Sequence, residues 1–214
     1  MHAFSTSDPN SGKPPQAPIS RNRIAHRPCL FARTLFAPGL LLFLSLAANS
    51  AHGQSNSAEY QLKAAFIFHF AQLVDWPADA LGPDSRPITL CTTGENSLSG
   101  IMESTIEGKQ IGPHSLQVRH LQEKENPRGC HLLVIVGRDK RRVAAILAGL
   151  NGAPILTVGE SEDFVQRGGM IGFCLQENKI RFDINLNAAQ RANLKINSRL
   201  LLLAKTVIGD GRRG

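Results

Sequence analysis

The chain has 214 residues, 24 Lys+Arg against 17 Asp+Glu, and a formal net charge of +7. Five of those basic residues and one acidic residue lie in the first 53 positions, so residues 54–214 carry a net charge of only +3. More than half of the basic excess is therefore confined to the N-terminal segment, and the remainder does not call for a nucleic-acid partner.

Residues 1–34 are polar and carry Arg21, Arg23, Arg27 and Arg33, and LFAPGLLLFLSLAA (35–48) follows without a charge. Small and polar residues come next, from Asn49 to Gly53. A basic segment, an apolar segment and a small-residue exit predict a secretory signal peptide over residues 1–53, cleaved near Ala51 or Gly53. The 14-residue apolar run is short for a membrane-spanning helix, which needs about 20. Cys29 precedes the run and is not placed for lipidation. Residues 54–214 suit a single domain with a real core.

YQLKAAFIFHFAQLVDWP (60–77) has helical periodicity. At 100° per residue, Leu62, Phe66, Ile67, Phe70, Leu73 and Val74 share one arc, and Gln61, His69, Gln72 and Asp75 lie opposite. That is an amphipathic core helix, with charges and amides recurring too often for a membrane span. Lys63 falls inside the apolar arc, where its stem packs and its ammonium reaches water. Phe68 and Trp76 fall on the polar side. Packing under a neighbouring loop is one reading of them; exposed aromatic contacts for a partner are the other.

A Gly/Pro-rich loop (82–87) leads to a strand in PITLCTTG (87–94), a short helix in 96–104 with Asn96 as its cap, and an alternating strand in SLQVRHL (115–121). CHLLVIVG (130–137) and PILTVGE (154–160) are continuous apolar runs of strand length, as in strands buried on both faces. Between them DKRRVAAILAGL (139–150) reads as a helix; the basic run at its start, Arg138, Lys140, Arg141 and Arg142, reads as a solvated helix start in preference to an anion site. SEDFVQRGG (161–169) reads as a capped turn of helix, with Gly168-Gly169 supplying positive φ at a tight turn. MIGFCLQ and KIRFDINL flank Glu177-Asn178 as a hairpin. Asn185 and Asn187 end the last strand and cap the next helix. Residues 188–207 then read as helix, a break at Lys195–Asn197, and helix again. Alternating strands and helices followed by a hairpin predict an α/β sandwich: a mixed sheet flanked by helices.

The chemistry-bearing motifs are missing. G-x-S-x-G, G-x-G-x-x-G and the phosphate-loop pattern do not occur, and His69, His114, His120 and His131 have no metal-ligand spacing. The turn TTGENSLSG (92–100) follows a strand and enters a helix, which makes it a weak candidate for anion binding. Three cysteines remain after the leader, Cys91, Cys130 and Cys174; in an oxidising compartment an odd count leaves one thiol over, with three single pairings open.

Five blocks in order, YQLKAAFIFHFAQLVDWP, ITLCTTG, CHLLVIV, PILTVGESEDFVQRGGMIGF and KIRFDINLNAAQRANLKINSRLLLLAKTV, resemble the YfiR-like family of exported bacterial proteins over about residues 58–208. The resemblance implies a periplasmic regulator with no active site or cofactor, whose named relative represses an inner-membrane diguanylate cyclase through its periplasmic part. It leaves room for an outer-membrane lipoprotein as a further partner, and for a homodimer. It also implies a Cys91–Cys130 disulfide. Cys174 matches one half of a second pair found in relatives, and its other half is absent here. A periplasmic small-molecule binding module, using the 92–100 turn or a cleft beside the sheet, is the alternative function.

Overall fold

A computed structural model describes residues 51–94, 97–150 and 152–209 of the chain. The expected leader lies outside these residues, except that 51–53 open the first helix, α1 (Ala51–Gln72). The expected cap Asn96 also lies outside them. No helix among the described residues is long and apolar enough to cross a membrane.

After α1 come β1 (Val74–Asp75), α2 (Ala78–Leu81), β2 (Ile88–Thr93), α3 (Ser97–Ile106), β3 (Gln110–Ile111), β4 (His114–Leu121), β5 (Leu132–Ile135), α4 (Lys140–Gly149) and β6 (Leu156–Gly159). The chain ends with β7 (Ile171–Gln176), β8 (Lys179–Asn185), α5 (Leu186–Arg191), β9 (Lys195–Ile196), α6 (Ser198–Leu203) and β10 (Thr206–Ile208). Eight strands form one mixed sheet in the order β10-β8-β7-β6-β5-β2-β4-β3. Strands β4, β2, β5, β6 and β7 are parallel, and β8 is antiparallel to β7. This is the mixed α/β architecture the sequence predicts.

The apolar runs become β5 and β6 at the centre of the sheet, and β2 is buried with them although its threonines give it a more polar sequence: every residue of the three strands is buried. Alternation along each strand then divides the core. Leu90, Leu132, Val134, Leu156 and Val158 face the larger cluster with α1 and α3, whereas Cys91, Leu133 and Ile135 face a smaller cluster with Val143 of α4. Helices thus cover both faces, as a parallel sheet requires.

The α4 cap is Asp139, whose carboxylate accepts from the Arg141 and Arg142 amides. Asn185 caps α5 through the Ala188 amide, and Asn197 caps α6 through the Arg199 amide. Glu177 and Asn178 have φ of 51° and 58°, the left-handed pair that a two-residue hairpin needs.

Four expectations change. First, Leu62 is 47% exposed, while Phe68 and Trp76 are each 8% exposed. Helix α1 packs on both the sheet and α3, so a single-arc reading of its buried side is too simple. Second, Gly168 has a φ of 96°, but Gly169 does not share it. Gly159 and Gly169 instead close on the two sides of the Phe164 ring, where any Cβ would overlap it. Third, residues 162–168 are turns rather than a turn of helix. Fourth, the terminal helix stops at Leu203: Lys205 donates its amide to the Phe182 carbonyl (2.8 Å), and β-branched Thr206, Val207 and Ile208 continue as a strand parallel to β8. The two-residue strands β1 and β9 pair antiparallel, fastening the end of α1 to the break between α5 and α6.

Candidate functional site

The chain leaves β2 for α3 on one face and β5 for α4 on the other, although β2 and β5 are neighbours. Diverging connections open a crevice at the carboxyl ends of such strands. Here a cavity of about 740 Å³ lies there. Gly94 and Gly137, which follow β2 and β5, line it, as do Glu160 after β6, and Glu59, Tyr60 and Lys63 from α1. Gly94 has a φ of 93° and sits so close to Val136 that a Cβ would meet the Val136 carbonyl oxygen. Gly137 has a φ of 116° with open space around it. Both positions call for glycine, one for proximity as well as conformation.

Lys63 forms one wall. Its ammonium lies 2.6 Å from Glu59 and 2.8 Å from Glu160, and the residue is 8% exposed. The expectation that this ammonium reaches water is therefore corrected. Burial by itself depresses the Lys63 pKa, but hydrogen bonds and charge from Glu160 and Glu59 reverse that and hold it above its ordinary value. The same nitrogen stands 5.4 Å from the centre of the Tyr60 ring. Cys174 of β7 also lines the crevice. It is a free thiol, and partial burial together with the Asp183 carboxylate pushes its pKa up.

The opposite end of the sheet holds a crosslink and a hydrogen-bond network beside a second cavity of about 570 Å³. Cys91 and Cys130 are joined by a disulfide linking β2 to the residue just before His131 and β5. Thr89 donates its amide to His131 Nδ1 (2.9 Å), and His131 Nε2 lies 3.2 Å from the Ala80 carbonyl. Trp76 Nε1 donates to the His131 carbonyl (3.1 Å). Because Nδ1 accepts the Thr89 amide, the ring is neutral in this arrangement; burial lowers its pKa, the hydrogen bond to the Ala80 carbonyl opposes that, and Arg86 and His114 add to the lowering.

Phe68 and Trp76 are therefore not the exposed partner contacts considered from the sequence. Phe68 packs in the main core with the Lys109 ammonium 4.5 Å over its ring, and Trp76 is held by its hydrogen bond to the His131 carbonyl. Large apolar residues are exposed elsewhere: Leu62 on α1, Leu175 on β7 (66%), and the group Leu202 (85%), Leu203 (58%) and Val207 (39%) at the end of α6 and on β10. Among the described residues β10 pairs only with β8, so its outer edge is open. LLLLAKTV carried no signal of this, since an apolar run reads as core until its backbone is placed. Residues 95–96 of the 92–100 turn lie outside the described residues. Among the described residues, no group of three His, Cys, Asp or Glu side chains is arranged to hold a metal ion.

A family model described as YfiR/HmsC-like matches residues 60–205, about two thirds of the chain. No curated protein sequence matches it.

Proposed function

The chain belongs to the YfiR/HmsC-like family, a family of periplasmic regulators, and from that premise we propose that it is exported behind a cleaved leader spanning residues 1–53. On this reading residues 54–214 act by binding the periplasmic part of an inner-membrane diguanylate cyclase and restraining it, which lowers cyclic-di-GMP synthesis. The protein forms and breaks no bonds itself; its output is occupancy of a partner.

One observation carries the binding role: Leu202, Leu203 and Val207 stand exposed beside the open edge of β10. Exposed apolar residues next to an unpaired strand suit strand addition or apolar docking by a partner. The interface is thus assigned to the C-terminal edge in place of Phe68 and Trp76.

The test is a pull-down of the full-length exported protein with the periplasmic domain of a cyclase from the same cell, alongside cyclic-di-GMP measurement. Deleting the gene raises cyclic-di-GMP. Leu202→Asp with Leu203→Asp abolishes capture and reproduces the deletion while leaving circular dichroism unchanged. Capture retained by that double variant removes the C-terminal edge as the interface. An unchanged cyclic-di-GMP level in the deletion strain overturns the cyclase reading.

A further inference from the structure

The crevice at the carboxyl ends of β2, β5 and β6 has no part in binding at the C-terminal edge. Its position is where open α/β sheets take small ligands, and its volume of about 740 Å³ falls within the range of small-molecule sites. We propose that it binds a small organic anion with a flat apolar body.

The lining supplies both halves. Tyr60, Leu175 and Ile180 offer apolar and aromatic surface for the body. Arg138 and Arg142 contribute two guanidinium groups, and neither makes an ion pair among the described residues. A guanidinium matches the oxygen geometry of a carboxylate or phosphate. Of the four carboxylates that also line the crevice, Glu59 and Glu160 are held by Lys63. Glu123 and Glu162 are exposed to water or nearly so and stay solvated.

Cys174 makes the proposal measurable, because a ligand in the crevice shields it. Full-length protein, with its disulfide intact, is alkylated at mildly alkaline pH, and the Cys174 peptide is followed by mass spectrometry. The probes are benzoate and phenyl phosphate, with inorganic phosphate as head group alone and benzyl alcohol as body alone. At twice its Kd, a single-site ligand slows alkylation about threefold and raises the melting temperature. Benzoate or phenyl phosphate produces both effects; the two half-probes produce markedly less. Arg138→Ala with Arg142→Ala, both exposed positions, removes the protection while keeping the melting temperature of the free protein. Protection by benzyl alcohol or inorganic phosphate equal to that of the complete probes overturns the proposal. So does undiminished protection in the arginine variant, or no protection by either complete probe.

Discussion

Lys63 and Glu160 meet at 2.8 Å although 97 residues separate them, joining the first helix to the carboxyl end of β6. The Lys63 side chain is 11% exposed and that of Glu160 14%, between the regimes of surface and fully buried ion pairs. Removing one partner of such a pair leaves a poorly solvated charge. Lys63→Met keeps the stem's packing and strands Glu160, so it destabilises the fold by about 2 kcal/mol in urea denaturation. Glu59→Gln, at a side chain 40% exposed, costs about 0.5 kcal/mol. Because the Lys63 pKa is raised in the fold, its stabilisation is complete below the ordinary value of 10.5 and fades as pH climbs through the folded value. A Lys63→Met variant as stable as wild type removes this tie from the account.

The Cys91–Cys130 disulfide joins residues 39 apart in sequence. In the chain-entropy model such a closure contributes about 4 kcal/mol, a large share of the roughly 5–15 kcal/mol that is typical of a domain. Dithiothreitol, or the Cys91→Ala with Cys130→Ala double variant, therefore lowers the denaturation midpoint sharply, with little change at any position remote from β2 and β5 while the fold persists. Under reducing conditions the double variant and wild type melt together. A difference between them that persists in reductant points to packing in the smaller core and not to the crosslink.

Phe164 is 1% exposed and lies between Gly159 and Gly169. Gly159→Ala and Gly169→Ala each push a methyl group into the ring's place, which costs about 1–3 kcal/mol by overpacking. Gly168→Ala meets open space, but its φ of 96° strains an alanine by about 1 kcal/mol. Adding Phe164→Leu to Gly169→Ala relieves part of the overlap. If the double variant is no better than the sum of the single ones, the ring is not the obstacle.

What the sequence disclosed depended on how local the cause was. LLVI and LTVG sit in continuous apolar runs because both faces of those strands are covered, and that condition is written in the strands themselves; ITLCTT alternates in sequence, yet all six of its residues are buried. The Glu177-Asn178 turn and the Asn185 cap are local too. By contrast, the burial of Phe68 arises from groups such as Lys109, well downstream in the chain, and that of Trp76 from His131. A helical wheel contains neither neighbour. Val207 and Ile208 look like a helix end until the Phe182 carbonyl, across a chain reversal, offers itself to Lys205. The crevice was legible only as a vague site near residues 92–100. Its lining residues come from α1, several strand ends and α4, and no single stretch of sequence contains them.

His131 gives the fold a pH dependence of definite sign. Its neutral ring accepts the Thr89 amide at Nδ1 and, as donor, places Nε2 against the Ala80 carbonyl. A second proton goes to Nδ1, against the Thr89 N–H, in a buried position already faced by Arg86 and His114. The folded pKa therefore lies below the ordinary 6.5, and below that pH the unfolded chain binds more protons than the native one. Stability is full above pH 6.5, declines as pH falls through that value, and levels off for this residue once the folded form also protonates. His131→Leu flattens this part of the profile and, by stranding the Thr89 amide, costs about 1–3 kcal/mol at about pH 8. Urea denaturation of both proteins between about pH 8 and pH 5 is the measurement. A wild-type profile that rises on acidification, or a His131→Leu profile with the same slope as wild type, contradicts the assignment of the proton to this ring.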